Sequence, residues 1–183
     1  MLMDKNLATL NKCNYQTIVT TDPHSYNTLK NEYHLGGMQP WRVLHISELL
    51  DQMISSGKLA LNKKLGCQVT YHDPCYLGRY NGVYDAPRRV IAATGCTLVE
   101  MPRNKDRALC CGAGGGRIWM EEGEIKERPS EARIREAAAL ANVSALVVAC
   151  PKDVTMYRDA AKTTGFESKL AVKDLVELVH EAL

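Results

Sequence analysis

The sequence predicts an α/β fold with a mainly parallel sheet flanked by helices. Short apolar runs rich in β-branched residues alternate along the chain with longer segments of helical character, and this alternation is typical of parallel sheets. With 183 residues, of which 45% are hydrophobic and 24% charged, the chain has the composition of one compact unit with its own core.

The strands and helices are predicted from the spacing of their apolar residues. The expected strands cover 17–20, 42–46, 68–72, 97–100, 145–149 and 170–172. The expected helices cover 25–33, 47–57, 86–95, 130–141, 154–165 and 173–183. Glycines at 57, 95 and 165 stand where three of these helices should end.

Composition and charge exclude several classes of function. The formal net charge of +2 comes without a run of like charges, so neither nucleic acid nor an anionic membrane is expected as a partner. No apolar stretch is long enough to span a bilayer, and the first residues lack the pattern of an export signal. We therefore expect a cytoplasmic protein, associated with a membrane only through a partner, and its seven cysteines should be reduced thiols.

The chain resembles itself at two places. The stretch TIVTTDPHSYNTLK aligns with LVVACPKDVTMYRD at an offset of 128 (150 minus 22), and HISELL aligns with AVKDLV at an offset of 126 (171 minus 45). Such self-similarity indicates an internal duplication. We expect 1–66 to be the tail of a first, degenerate repeat and 67–183 to be a complete second repeat, packed as one unit.

Four cysteines are expected at one edge of the sheet. Cys75 and Cys150 follow predicted strands, and Cys110 and Cys111 lie in the loop after another, so all four should meet where parallel strands end. Adjacent cysteines suit a cluster of several irons better than one tetrahedral metal, and the glycines of CCGAGGG allow backbone N–H groups to approach its sulfurs. A vicinal thiol redox pair is the alternative. The remaining cysteines, at 13, 67 and 96, are expected to be small apolar core residues.

Three motifs, YHDPCYLGR, CCGAGGGRIWMEE and ACPKD, resemble the cysteine-rich CCG domain of heterodisulfide reductase subunits B and D and of related iron–sulfur oxidoreductases. The resemblance implies Rossmann-like repeats, one complete and one partial, and an iron–sulfur cluster of the 4Fe-4S type, noncubane in the best-understood relatives. It also implies that Cys75, Cys110, Cys111 and Cys150 match the first four of five cluster cysteines. The fifth position is Asp153, whose carboxylate is a harder ligand.

The first repeat departs further from this family, because Asp22 and Ser25 stand where it has cysteines. The leading hypothesis is an electron-transfer subunit of an oxidoreductase complex, holding one cluster at the four cysteines with Asp153. The alternatives are a structural or assembly subunit that binds zinc or no metal, and a thiol-disulfide reductase. The expected partners are ferredoxin-type or flavoprotein redox chains, one of them supplying an N-terminal portion and covering the edge of an incomplete sheet.

Overall fold

The fold is described from a computed structural model, which covers residues 2–33, 41–121, 123 and 125–183. The predicted first repeat and the motif RIWMEE each include residues outside this description, namely 1, 34–40 and 122. Among the described residues, no helix is long and apolar enough to cross a membrane.

Helices and strands alternate as expected. The helices are α1 (Leu2–Leu10), α2 (Pro23–Asn27), α3 (Ile46–Ser55), α4 (Asp85–Ala93), α5 (Pro129–Ala138), α6 (Pro151–Thr163) and α7 (Leu175–Ala182). The strands are β1 (Thr17–Thr20), β2 (Arg42–His45), β3 (Gln68–Tyr71), β4 (Thr97–Leu98), β5 (Ala145–Val148) and β6 (Ala171–Asp174). A π-helical turn extends α2 over Thr28–Glu32, and 3-10 turns cover Lys105–Arg107 and Gly114–Trp119.

The strands form two parallel sheets rather than one. A four-stranded sheet has the order β4-β3-β5-β6, and β1 pairs with β2 in a separate two-stranded sheet. Within the larger sheet Tyr71 lies opposite Val147, which lies opposite Lys173 on the other side. The α/β class and the parallel pairing are therefore confirmed.

Strand β5 is central, and side chains from its two faces enter two different cores. Ala145 and Val147 belong to a core built with α4 and α7, whereas Leu146 and Val148 belong to a core built with α5 and α6. The sequence of a strand buried on both faces is a continuous apolar run, and β5 has such a sequence. The first of these cores also contains Tyr26, from the N-terminal part of the chain.

The two self-similar stretches have the same order of elements. Strand, helix, strand and helix follow one another as β1-α2-β2-α3 and again as β5-α6-β6-α7. The first pair of helices starts at an offset of 128 (151 minus 23) and the second at 129 (175 minus 46). The second value differs from the offset of 126 at which HISELL aligns with AVKDLV, because sequence similarity alone does not fix the residue at which a capped helix begins.

Helices α2 and α6 begin alike, and this beginning positions the site. Asp22 and Cys150 are the N-cap residues, and each is followed by a proline at the first helical position. Proline suits this position because its missing N–H would have no intrahelical acceptor there. The capping residues of both helices therefore lie at the carboxyl ends of their strands.

Helix α1 and the exposure of one cysteine were not predicted. Cys96 is buried and Cys67 packs against the core, as expected. Cys13 is exposed just after α1, and its thiol donates to the Thr9 carbonyl at 3.8 Å. The prediction that it is a core residue was wrong, since nothing in the local pattern revealed that a helix end lies at the surface.

Candidate metal centre

Cys75 follows β3, Cys110 and Cys111 lie in the loop after β4, and Cys110 interacts with both of the other cysteines. Interaction with the Cys111 and Cys75 thiols lowers the pKa of Cys110 well below its usual range. The same interaction raises the pKa of Cys75 and of Cys111. The loop after β4 thus brings Cys110 to Cys75, although 35 residues (110 minus 75) separate them in sequence.

Asp153 is a buried neighbour of these cysteines. It lies in the first turn of α6, is only 2% exposed, and interacts with Cys111, which lowers the pKa of its carboxyl against the larger effect of burial. Burial raises the pKa of its carboxyl to about 7. Its Oδ2 atom has no hydrogen-bond partner among the described residues, which is costly for a buried carboxylate.

Cys150 is the N-cap residue of α6, the helix whose first turn contains Asp153. Burial and the neighbouring Asp153 carboxylate raise the pKa of its thiol to about 12. The three atoms offered by Cys150, Asp22 and His24 lie within 4.8 Å of one another. The ammonium of Lys152 lies 3.5 Å from Asp22 Oδ1 and 3.4 Å from His24 Nδ1, so a cation already faces these two side chains.

A buried polar network lies beneath Asp153. His72 Nε2 is 3.6 Å from Asp153 Oδ2, and the Tyr157 hydroxyl is 3.2 Å from the His72 ring nitrogens. Arg133 is fully buried and donates to His72 Nδ1 at 3.3 Å and to Glu136 at 3.0 Å. Burial and the Arg133 charge hold the pKa of His72 well below its usual range. His72 is therefore a neutral group beside the carboxylate.

Asp73 joins the loops that carry the thiols. Its carboxylate accepts two hydrogen bonds from Arg88, at 2.7 and 2.9 Å, and one from the Lys105 N–H at 2.7 Å. Lys105 adopts a positive φ of 54°, a conformation rare for residues other than glycine. Asp73, in the motif YHDPC, therefore anchors the loop that leads to Cys110.

The glycines after the adjacent cysteines turn the backbone toward sulfur. The Gly112 N–H donates to Cys110 Sγ at 3.4 Å, and Gly112, Gly115 and Gly116 all have positive φ. Beside Cys110 opens a cavity of about 580 Å³, with Ile118, Met120 and Met156 in its lining. One backbone N–H therefore contacts a thiol as the CCGAGGG pattern indicates.

These residues fit a cofactor that binds through sulfur. Thiols that contact one another, a buried carboxylate oxygen without a partner and a backbone N–H directed at sulfur are what a thiolate-bound metal centre requires. Cys110 interacts with Cys75 and Cys111, and Asp153 interacts with Cys111, whereas among the described residues the side chains whose offered atoms all lie within 4.8 Å of one another are Asp22, His24 and Cys150.

Comparison with known proteins assigns residues 69–152 to a family. The sequence profile of a cysteine-rich family, CCG, matches residues 69–152. The chain carries a cysteine-rich CCG domain. Within this domain lie Cys75, Cys110, Cys111 and Cys150, whereas Asp153 is the first residue beyond the match.

Several proteins similar to this chain are named as oxidoreductases or reductases. The chain is 42% identical over all its length to "Probable iron-sulfur-binding oxidoreductase FadF" of Bacillus subtilis and 38% identical to "EtfAB:quinone oxidoreductase" of Syntrophomonas wolfei. Over 81% of its length it is 39% identical to one polypeptide of the dihydromethanophenazine:CoB–CoM heterodisulfide reductase of Methanosarcina barkeri. It spans only 26%, 26% and 36% of these three proteins.

The residues that support the CCG domain site were mostly not predicted. Arg133 offered a signal, because it shares the apolar face of α5 with Ile134, Ala137 and Ala138, and a charge on such a face is buried only with partners. The sequence around Arg88 and Tyr157 contained no comparable signal, since the partners of these residues are distant in sequence.

Proposed function

We propose that this chain is an electron-transfer segment of an iron–sulfur oxidoreductase and that it holds one cluster. The proposed ligands are Cys75, Cys110, Cys111 and Cys150, with the Asp153 carboxylate at the fifth position. The observation that supports this proposal is that Cys110 interacts with both Cys75 and Cys111, and that the buried Asp153 interacts with Cys111. The 4Fe-4S type, in its noncubane form, accounts for adjacent thiols that reach different irons.

The residues of this chain would bind the cluster and set its surroundings. A bound iron–sulfur cluster supplies one-electron transfer. Cys111 and Cys150 are buried and would help to exclude water from a bound cluster, whereas Cys110 is exposed and would be the ligand most accessible to a partner. The Gly112 N–H donates to Cys110, and hydrogen bonds of this kind to sulfur tune a reduction potential.

We propose further that 67–183 is a complete CCG repeat and that 1–66 is the tail of a degenerate one. The matching order of β1-α2-β2-α3 and β5-α6-β6-α7 supports this division. In the first repeat Asp22 occupies the helix cap that Cys150 occupies in the second. The relatives are much longer than this chain, so redox partners, of the ferredoxin or flavoprotein kind, would lie in other segments or subunits. Any contact with a membrane would come through them.

The test is anaerobic purification followed by iron, sulfide and zinc analysis. We expect several irons and sulfides per chain and a visible chromophore. Cys111→Ser should abolish the chromophore, whereas Cys13→Ser should retain it, because Cys13 is exposed and its thiol donates to the helix carbonyl of Thr9. An iron-free chain, or a chromophore that survives Cys111→Ser, would contradict the proposal.

The role of Asp153 needs its own pair of variants. Asp153→Cys provides the thiolate that the family pattern has at this position, and Asp153→Asn keeps the shape but loses the charge. If the carboxylate binds iron, both variants should change the electron paramagnetic resonance spectrum and the reduction potential. A spectrum and a potential equal to those of the native chain in both variants would exclude ligation.

A zinc-binding structural module is the second candidate. The grouping of Asp22, His24 and Cys150 within 4.8 Å favours it, because these are ligand types that zinc accepts. One zinc per chain that is lost in His24→Ala, with no iron or sulfide, would support this candidate over the cluster. Iron and sulfide unaffected by His24→Ala would exclude it.

A further inference from the structure

Two cysteines outside the candidate metal centre lie against each other. Cys67 and Cys96 immediately precede strands β3 and β4, and their Sγ atoms are 3.2 Å apart. Both are free thiols. They lie at the amino ends of the strands, whereas Cys75 and the loop to Cys110 follow the carboxyl ends. The Cys67–Cys96 pair is therefore separate from the candidate metal centre.

The backbone at this pair suits a covalent bond between the sulfurs. In the parallel register Gln68 lies opposite Thr97, and the Thr97 N–H donates to the Cys67 carbonyl at 2.9 Å. The preceding residues, Cys67 and Cys96, are therefore neighbours on adjacent strands. Such neighbours have Cα atoms about 5 Å apart, which is within the range of disulfides.

We propose that Cys67 and Cys96 are a dithiol modification site, which a small disulfide of the glutathione class converts reversibly into a disulfide. Cys67 is the entry point, because it is partly exposed while Cys96 is buried. Its thiolate attacks one sulfur of the small disulfide and expels one thiol. Cys96 then attacks Cys67 sulfur and expels the second thiol.

This exchange balances without any other reactant. Two protein thiols and one small disulfide become one protein disulfide and two small thiols, which take up the two protons. Two electrons pass from the protein sulfurs to the small disulfide. The product links the strand that leads to Cys75 with the strand that leads to Cys110, and thus ties together the bases of two loops of the candidate metal centre.

Peptide mapping tests the proposal directly. The reduced, metal-free chain is treated with oxidised glutathione, alkylated with iodoacetamide and digested with trypsin. We expect a linked pair of peptides, 65–79 and 90–103, that dithiothreitol separates. Because peptide 65–79 also contains Cys75, fragmentation of the linked pair in the mass spectrometer must place the bond at Cys67.

Variants separate this site from general thiol oxidation. The linked pair should persist in Cys75→Ser and Cys13→Ser and disappear in Cys67→Ser. Alkylated Cys67 and Cys96 in the oxidised native chain, or a bond located at Cys75, would overturn the proposal. The mapping of the native chain decides the question even if a variant does not fold. Because the reaction needs no cluster, its failure would leave the electron-transfer proposal unaffected.

Discussion

Replacing Asp73 by asparagine tests whether a buried ion pair holds the thiol-bearing loops together. The Asp73 side chain is 2% exposed and binds Arg88 through both oxygens, with distances of 2.7 and 2.9 Å. Loss of one partner of a buried ion pair costs about 3–5 kcal/mol. Arg88 keeps its second partner, Glu100, at 2.6 Å, and an asparagine oxygen still accepts the Lys105 N–H. We therefore expect a loss of about 2–4 kcal/mol of unfolding free energy.

The assay is urea denaturation of the metal-free, reduced chain, followed by circular dichroism. With a slope of about 2 kcal/mol per molar urea, the midpoint should fall by roughly 1–2 M. Amide hydrogen exchange at Lys105 should also become faster, because its acceptor is weakened.

Asp51→Asn is the matched control for this experiment. Asp51 binds Arg89 through both oxygens, at 2.9 and 2.6 Å, but the Arg89 side chain is 60% exposed. An exposed pair of this kind contributes at most about 1 kcal/mol. If Asp73→Asn costs no more than Asp51→Asn, the reasoning that burial gives the Asp73 pair its strength is refuted.

Two further predictions concern a helix cap and a tight turn. Glu131 accepts hydrogen bonds from the Arg128 N–H and the Thr163 hydroxyl, and these bonds lower the pKa of its carboxyl from 4.5 to about 2. The contribution of Glu131 to the free energy of unfolding is therefore present above pH 4.5 and is lost as the pH falls toward 2. Glu131→Gln should therefore cost roughly 1–2 kcal/mol at pH 7 and much less at pH 3 in urea denaturation, and an equal cost at both pH values would contradict this reasoning. Gly95 has φ +81° and an added Cβ would lie 2.9 Å from Lys64 Cβ, so Gly95→Ala should lower the melting temperature more than Gly57→Ala, where φ is +71° in open space. Equal losses would show that the approach of Lys64 is unimportant.

Much of the fold followed from local patterns. Each expected strand was found within two residues of its predicted limits, because β-branched apolar runs between helical segments form buried parallel strands. The division into two sheets did not follow, since the pairing of β1 with β2 alone depends on contacts between distant segments. Helix α1 was missed because none of its residues is buried.

The candidate site was likewise only partly predictable from the sequence. The positions of Cys75, Cys110, Cys111 and Cys150 after strands predict that they lie at one edge of a sheet. In the structure Cys110 interacts with Cys75 and Cys111, while Cys150 lies near Asp22 and His24. The burial of Asp153 and the raised pKa of its carboxyl could not be predicted from the sequence, because both depend on how helix α6 packs against the sheet.

The sequence by itself determined the α/β class, the parallel strands and the residue types at the centre, because these depend on spacing and on chemistry carried by single residues. Only the tertiary structure decided which partners those residues have. Arg133 beneath His72, Arg88 on Asp73 and Cys67 against Cys96 are all contacts between segments 15 or more residues apart. The physical reason is that burial and ion pairing are properties of packed neighbours, and packing joins segments that the local pattern treats separately.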